Sequence, residues 1–388
     1  MYKYFTRFFL LILITSFCQI SFAVDKKAKP QPPGDYEKGL EAYQKDDFAT
    51  ALMLWFPLAE SGDAPAQYKL GKMYLDQKGQ RKDPAEAAGW IQKAAVQGHI
   101  EAQSLLGQMY LKGVGVKRNF SRSADWLLKA ARKKDSEAQY ILAKLYYYGD
   151  GVKKSGSKAA YWYKEAAKQD HPEAQYQLAL MYLNGDGIKK KNKTAVKWFK
   201  KSAAAGNALA MINLAKLYSE GEVLKQDLPM AFSWYQKAAD KGNAVAQNQL
   251  GELFENGTGT EKSLQQSTLW YEKAAKQENP DANYNLGRAY VHGYGVKKDY
   301  KKGVQHFHKA AEAGHGKAQM DLGVAYYTGK GVAPDSAIAS AWFYVAAAGH
   351  VKDARKTKNA LYKKLDSEDK KKSVKLATEY KRKYFVRP

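Results

Sequence analysis

Ala102-Gln103-Ser104-Leu105-Leu106-Gly107-Gln108-Met109-Tyr110 returns 36 residues later as Ala138-Gln139-Tyr140-Ile141-Leu142-Ala143-Lys144-Leu145-Tyr146. Its opening alanine recurs at Ala66, Ala102, Ala138, Ala174, Ala210, Ala246, Ala282 and Ala318, with no change of spacing. A fixed period of this size marks an array of stacked supersecondary units, none of which can bury its apolar face alone.

Each unit reads as two helices. Apolar residues fall at offsets 0, +4, +7 and +8 from the alanine, as in Ala102, Leu106, Met109 and Tyr110, which is the one-sided stripe of an amphipathic helix. Offset +5 is always Gly or Ala: Gly71, Gly107, Ala143, Ala179, Ala215, Gly251, Gly287 and Gly323. A mid-helix glycine costs up to about 1 kcal/mol against alanine, so its recurrence predicts a close helix–helix contact. Glycine turns such as Gly149-Asp150-Gly151 end the first helix. Asp83, Asn119, Ser155, Asp227, Ser263, Asp299 and Asp335 then stand in one register as N-caps of the second. Its expected anchor is the series Trp90, Trp126, Trp162, Trp198, Trp234, Trp270 and Trp342, with small residues four and five positions on. The turn into the next unit carries Asp63, His99, Asp135, His171, Asn207, Asn243, Asn279 and His315.

The pattern Ala-Gln-x-x-Leu-Gly-x-x-Tyr, then Gly-x-Gly-Val, then Ala-x-x-Trp-Tyr-x-Lys-Ala-Ala resembles the Sel-1-like repeat family, a relative of the tetratricopeptide repeat. The resemblance spans roughly residues 35 to 365. It implies an all-α fold, a right-handed α-solenoid of stacked antiparallel helix pairs whose first helices line a concave surface. It also implies an adaptor that binds proteins in envelope, host-interaction or virulence systems. Two positions depart from the pattern: Val223 replaces the second turn glycine, and His306 replaces the tryptophan of the seventh full unit.

The expected organisation is a signal peptide at 1–23, a flexible linker at 24–34, and a divergent helix pair at 35–62. Eight repeats follow at 63–350, then Lys-rich capping helices at 351–388. Lys3 and Arg7 precede the apolar run Phe8 to Ile14, and Ser21-Phe22-Ala23 supplies the small residues of a cleavage site, the signature of export to the periplasm or outside the cell. The apolar run is too short for an ordinary membrane span. Cys18, the only cysteine, falls inside that leader, so the mature chain can form no disulfide and depends on packing. In the C-terminal cap, Ser367 reads as an N-cap, and Val374, Ala377, Tyr380 and Tyr384 as the apolar side of the last helix.

The net charge is +24, while 45% hydrophobic and 13% aromatic residues fit a folded chain better than a basic tail. Catalytic constellations are scarce. His306-Phe307-His308 has no cysteine or i, i+4 partner to complete a metal site. Ser155-Gly156-Ser157-Lys158 and Ser367-Glu368-Asp369-Lys370 match the Ser-x-x-Lys of penicillin-interacting hydrolases, a short motif that recurs by chance in a lysine-rich chain. The reading is therefore not an enzyme, with no cofactor and no metal, and an enzyme of that kind stands as a distant alternative.

Two surfaces remain. Offsets +2, +6 and +9 lie away from the core stripe and hold Tyr68, Lys72, Tyr140, Lys144, Tyr147, Tyr176, Lys216, Tyr284, Arg288 and Tyr327. These residues are the candidate site for a protein or peptide partner of acidic or polar character, because tyrosine and arginine are enriched where proteins meet. A basic edge follows the glycine turns at Lys117, Arg118, Lys153, Lys154, Lys189, Lys190, Lys297 and Lys298, with Arg81, Lys82 and Lys225 in the same register. It suits anionic membrane lipid or envelope polysaccharide and gives the alternative function. Nucleic acid fits the charge but not an export signal. The chain is expected to act as a monomer.

Overall fold

The computed structural model describes residues 34–78 and 82–384, and among them every regular element is a helix. The expected leader and linker, and Arg81 of the basic edge, lie outside the described residues, save Gly34, where the first helix begins. The chain divides into two compact units, 1–166 and 167–388.

The first unit contains α1 (Gly34–Gln44), α2 (Phe48–Glu60), α3 (Ala64–Asp76), α4 (Pro84–Val96), α5 (Ile100–Lys112), α6 (Phe120–Arg132), α7 (Ser136–Tyr148) and most of α8 (Gly156–Lys168). The second begins with α9 (Pro172–Asn184), α10 (Asn192–Ala204), α11 (Ala208–Glu220), α12 (Leu228–Asp240), α13 (Ala244–Asn256) and α14 (Leu264–Ala275). It ends with α15 (Pro280–His292), α16 (Tyr300–Glu312), α17 (Gly316–Thr328), α18 (Ser336–Ala348), α19 (Ala354–Lys364) and α20 (Ser367–Tyr384). Within each unit, a second helix packs on its own first helix and on the first helix of the next pair, as α6 does on α5 and α7.

The small residue at offset +5 makes that packing possible. A β-carbon on Gly107 would stand 2.6 Å from Leu127 Cγ, and one on Gly287 would stand 2.5 Å from Phe307 Cδ1. Ile91, Leu127, Tyr271, Phe307 and Phe343 fill this space over the glycines, Tyr163, Phe199 and Tyr235 hold the same register in the alanine copies, and all eight are buried. Each follows the tryptophan register by one position and shares the core with it: Trp90, Trp270 and Trp342 are buried, while Trp126, Trp162, Trp198 and Trp234 are half-buried. Several tryptophans lie under a lysine three residues on: Lys93 Nζ lies 3.7 Å from the Trp90 ring centre and Lys273 Nζ 3.5 Å from that of Trp270. At this spacing the ammonium meets the negative face of the indole.

The helix ends are closed by side chains. The Asp83 and Asp299 carboxylates accept from helix amides as the caps of α4 and α16, and the Ser155 hydroxyl accepts from Lys158 N at 3.3 Å. The Asp, Asn and His register in the other turn caps the first helices: Asp135 Oδ1 accepts from Ala138 N at 2.6 Å and His99 Nδ1 from Ala102 N at 3.3 Å. At α10 the register holds Lys191, and no side chain caps the helix. The glutamine after the repeat alanine has a role of its own. Gln67, Gln103, Gln139, Gln175, Gln247 and Gln319 are buried, and each donates its amide to a carbonyl near the end of the preceding helix, Gln103 Nε2 to Ala95 O at 3.0 Å for example.

The glycine turn is closed by a bond from the second-helix cap back to offset +8, as from Asn119 N to Tyr110 O at 2.9 Å. Its second glycine touches the preceding unit: Gly115 has φ +68°, and a β-carbon there would lie 1.8 Å from Pro84 O. Val223 cannot approach a backbone in that way. It packs with Leu224 against the core around Phe199, and the Gly221 N to Leu217 O bond lengthens to 3.4 Å, against 2.8 Å at Gly149.

At the C-terminus α18 carries both α19 and α20. The rings of Tyr380 and Tyr384 stack on Trp342 at 4.5 and 6.2 Å, and Lys372 Nζ reaches Asp335 Oδ2 at 2.6 Å. Two expectations are corrected here. The α20 cap is Asp366, whose Oδ1 accepts from Asp369 N at 2.8 Å, and Ser367 is the first helical residue. Val374 is exposed while Ser373 is buried, so the covered stripe runs through 373, 377, 380 and 384.

Candidate functional site

The first-helix offsets chosen from sequence turn one side chain after another toward the margin between neighbouring pairs. In the first unit, Tyr68 is half-buried with its ring stacked on the His99 imidazole at 4.9 Å. Tyr140 lies 5.9 Å from Tyr163, with Lys144 Nζ 5.6 Å from its ring, and Tyr147 meets Tyr148 edge to face at 5.1 Å. Lys72 is half-buried and Lys144 exposed. These tyrosines present one edge and spend the rest of their surface on packing.

The second unit repeats the theme. Tyr176 packs on Phe199 at 6.0 Å, and its hydroxyl accepts from Asn213 Nδ2 at 3.4 Å; Lys216, one first helix on, is exposed. Tyr284 is held between Phe307 at 5.8 Å and His315 at 4.4 Å. Burial, then the nearby Asp321 carboxylate, push its hydroxyl up to about 12. Tyr327 is half exposed on α17.

Tyr284 and Arg288 open into a cavity of about 1090 Å³ formed by α13, α15, α17 and the turn before α19. Its polar lining is tied together in two groups. Tyr271 Oη donates to Glu255 Oε2 at 2.7 Å, and Arg288 Nη2 lies 3.4 Å from Glu255 Oε1. Asn285 Nδ2 donates to Asn248 Oδ1 at 3.1 Å and to Glu252 Oε1 at 3.2 Å. Burial raises the Asp321 carboxyl, with the Tyr284 hydroxyl and Arg288 opposing it. Around the rim stand Asp281 and Asp353, facing Lys317, Lys352 and His315. Five carboxylates line this stretch of the face against three fixed cations. Glu252 and Glu255 occupy offsets +6 and +9 of the sixth copy, so acidic residues share the register that carries tyrosine, lysine and arginine in other copies.

The remaining candidates do not join this cavity. Lys117, Arg118, Lys153 and Lys154 in the first unit, and Lys189, Lys190, Lys297 and Lys298 in the second, are all exposed. The second member of each pair rests its stem on the turn glycine: a β-carbon on Gly113 would meet Arg118 Cβ at 3.2 Å, and one on Gly149 would meet Lys154 Cβ at 3.0 Å.

The histidine pair diverges. His306 Nδ1 lies 3.0 Å from Asn283 Oδ1 and its ring stacks on Tyr290, while His308 Nε2 lies 3.1 Å from Tyr326 Oη. Burial, then Lys309, lower His306 to about 4. Among the described residues no group of three or more His, Cys, Asp or Glu side chains is placed to hold a metal ion, and no helix is long and apolar enough to cross a membrane.

The Sel1 repeat model matches eight consecutive segments: 64–99, 100–135, 136–171, 172–207, 208–243, 244–279, 280–315 and 316–350. No curated protein matches the sequence. Among solved structures, a protective antigen of uropathogenic Escherichia coli with an SLR fold is 30% identical, with a TM-score of 0.52 over 90% of this chain and 91% of that one. A Sel1 repeat protein of Oxalobacter formigenes is 29% identical, with a TM-score of 0.64 over 80% of this chain and 90% of that one. The fold is thus an α-solenoid of the kind those structures display, and the chain belongs to the Sel1 repeat family.

Proposed function

We propose that the protein is an exported, non-catalytic scaffold that holds a protein partner along the first-helix face of its repeats. The observation that carries this reading is the 1090 Å³ cavity, which is lined at the variable offsets of consecutive first helices by Tyr284, Arg288, Glu252 and Glu255. The packing code at offsets 0, +4, +5 and +7 is spent on the fold, and these positions are left to differ. The tyrosines are held by neighbouring rings before any partner arrives, so little side-chain freedom is lost on binding. Export rests on the charged, apolar and small-residue pattern of residues 1–23. Similarity to a protective antigen of a pathogenic bacterium favours an envelope or host-facing setting.

The test is crosslinking capture by the protein lacking residues 1–23, from envelope fractions and separately from host-cell lysate. A partner captured by the wild type should be lost with Tyr284→Ala and Arg288→Ala, or with Tyr176→Ala and Lys216→Ala. It should be retained when Lys153, Lys154, Lys189 and Lys190 are neutralised. The exposure of every one of those lysines favours the second reading, binding of anionic lipid or polysaccharide by the basic edge. Capture lost only with the lysine variant would transfer the function there, and capture insensitive to both sets would remove both surfaces.

A further inference from the structure

The last repeat carries a groove unlike the rest of the first-helix face. A period of 36 from Gly316 would start the next first helix at 352, but α19 starts at Ala354, after His350 and Asp353 with φ of +57° and +61°. The left-handed His350 keeps the repeat's own register, shared with Lys134, Asp170 and Glu278, whereas among the described residues the left-handed Asp353 has no counterpart in the other copies and marks where the turn departs from the repeat geometry. Between α17 and α19 a groove of about 600 Å³ remains, within the roughly 300–1,000 Å³ range of ligand cavities. Phe343 and Leu361 form its buried floor, and Val324 and Tyr327 stand in it 45% and 50% exposed.

The lining is unusual for this protein. At offset +6, where Val324 stands, the other copies have Lys72, Gln108, Lys144, Leu180, Lys216, Glu252 and Arg288. Only α9 and α17 are apolar at +2, +6 and +9 together, and in α9 Leu180 and Leu183 are half-buried against the neighbouring core. The apolar surface left open on α17 is therefore a local feature. Its rim is basic: Lys356 and Lys364 line the groove, and α19 carries Arg355, Lys358 and Lys363 besides, with no acidic residue along its length. Asp353 marks the end where the groove meets the large cavity.

We propose that the groove between α17 and α19 receives a partner segment bearing aliphatic or aromatic anchors flanked by carboxylates. The anchors cover Val324 and Tyr327 over Phe343 and Leu361, and the carboxylates meet Lys356 and Lys364. This deepens the scaffold reading and rests on it. Burial of apolar side chains supplies affinity, and the lysine rim supplies discrimination by charge.

The test sorts displayed random 12-residue peptides on the protein lacking residues 1–23, with counter-sorting on Val324→Lys. Enriched peptides should carry at least two aliphatic or aromatic residues and a net negative charge. Their binding, read by fluorescence anisotropy, should fall tenfold or more with Val324→Lys, with Tyr327→Ala, and with Lys356→Glu plus Lys364→Glu. It should be unchanged with Lys276→Gln, an exposed position outside the first-helix face. All substituted positions are exposed or half-buried, and circular dichroism melting checks that each variant folds; the charge-reversal pair tests the rim even if Val324→Lys fails that check. Enriched peptides of net positive charge, or none that distinguishes the wild type from the groove variants, overturn the proposal. Peptides lost with the Tyr176 and Lys216 pair but kept by the groove variants overturn the groove while leaving the scaffold reading in place.

Discussion

Substituting Gly107 by valine tests the central packing claim, that offset +5 and the residue after the tryptophan share one space. A β-carbon on Gly107 would lie 2.6 Å from Leu127 Cγ, 2.9 Å from Leu127 Cδ2 and 3.2 Å from Leu127 N. The side chain can rotate, but the backbone nitrogen cannot retreat without moving α6. Valine should recover a few tenths of a kcal/mol of helix propensity over glycine, while overpacking costs about 1–3 kcal/mol. Leu127 is fully buried, so Leu127→Ala by itself should cost about 2–5 kcal/mol. If the two side chains compete for one volume, the double variant should cost less than the sum of the singles by at least about 1 kcal/mol. An array need not unfold in one step, so the assay is hydrogen exchange followed by mass spectrometry on peptides from α5 and α6. A loss of about 1.4 kcal/mol speeds exchange about tenfold. Wild-type exchange in the Gly107→Val variant, or strict additivity in the double variant, would refute the shared-space reasoning.

Three further outcomes follow from the same geometry. Asp335 caps α18 through Ile338 N and holds Lys372; burial raises its carboxyl, but these hydrogen bonds outweigh that and leave it below the ordinary range. Asp335→Ala should lose about 1 kcal/mol of cap and speed exchange across 367–384 more than Lys372→Ala does. His306 is neutral in the fold down to about pH 4, chiefly through burial, and takes a proton near 6.5 when unfolded. The unfolded chain therefore binds more protons between those values, and stability should fall as pH drops from about 6.5 to 4, by about 1–2 kcal/mol once partial exposure is allowed for. Melting temperatures of wild type and His306→Gln at pH 7.5 and 4.5 check this, the variant being expected to show the smaller drop. Gln103→Ala removes the amide bond to Ala95 and should cost about 1–2 kcal/mol, read as faster exchange at the junction of α4 and α5; an unchanged rate would mean that the repeated glutamine is not a staple.

Much of this architecture is legible without coordinates because the repeat compares each unit with its neighbours. Helix limits, the two capping registers and the small residue at +5 all recur at fixed spacing, so a feature ambiguous in one copy is resolved by eight. Where the register breaks, the reading weakens. At the end of the array there is no copy of the last helix for comparison, and there the pattern points to Ser367 as the cap and Val374 on the covered side, while Asp366 and Ser373 take those roles.

The sequence by itself determined the period, the two-helix unit, the close +5 contact and the family, because each is encoded within one helix or between adjacent units at constant offset. Tertiary structure decided what remains exposed. Helical angle shows which side of α15 carries Tyr284, but only the placement of Phe307 and His315 shows that the ring is half covered. The pairing of Arg288 with Glu255, 33 residues apart, depends on how two first helices lie together. The groove beside Val324 and Tyr327 lies against α19, which enters two residues late, and no spacing within a single repeat contains that displacement.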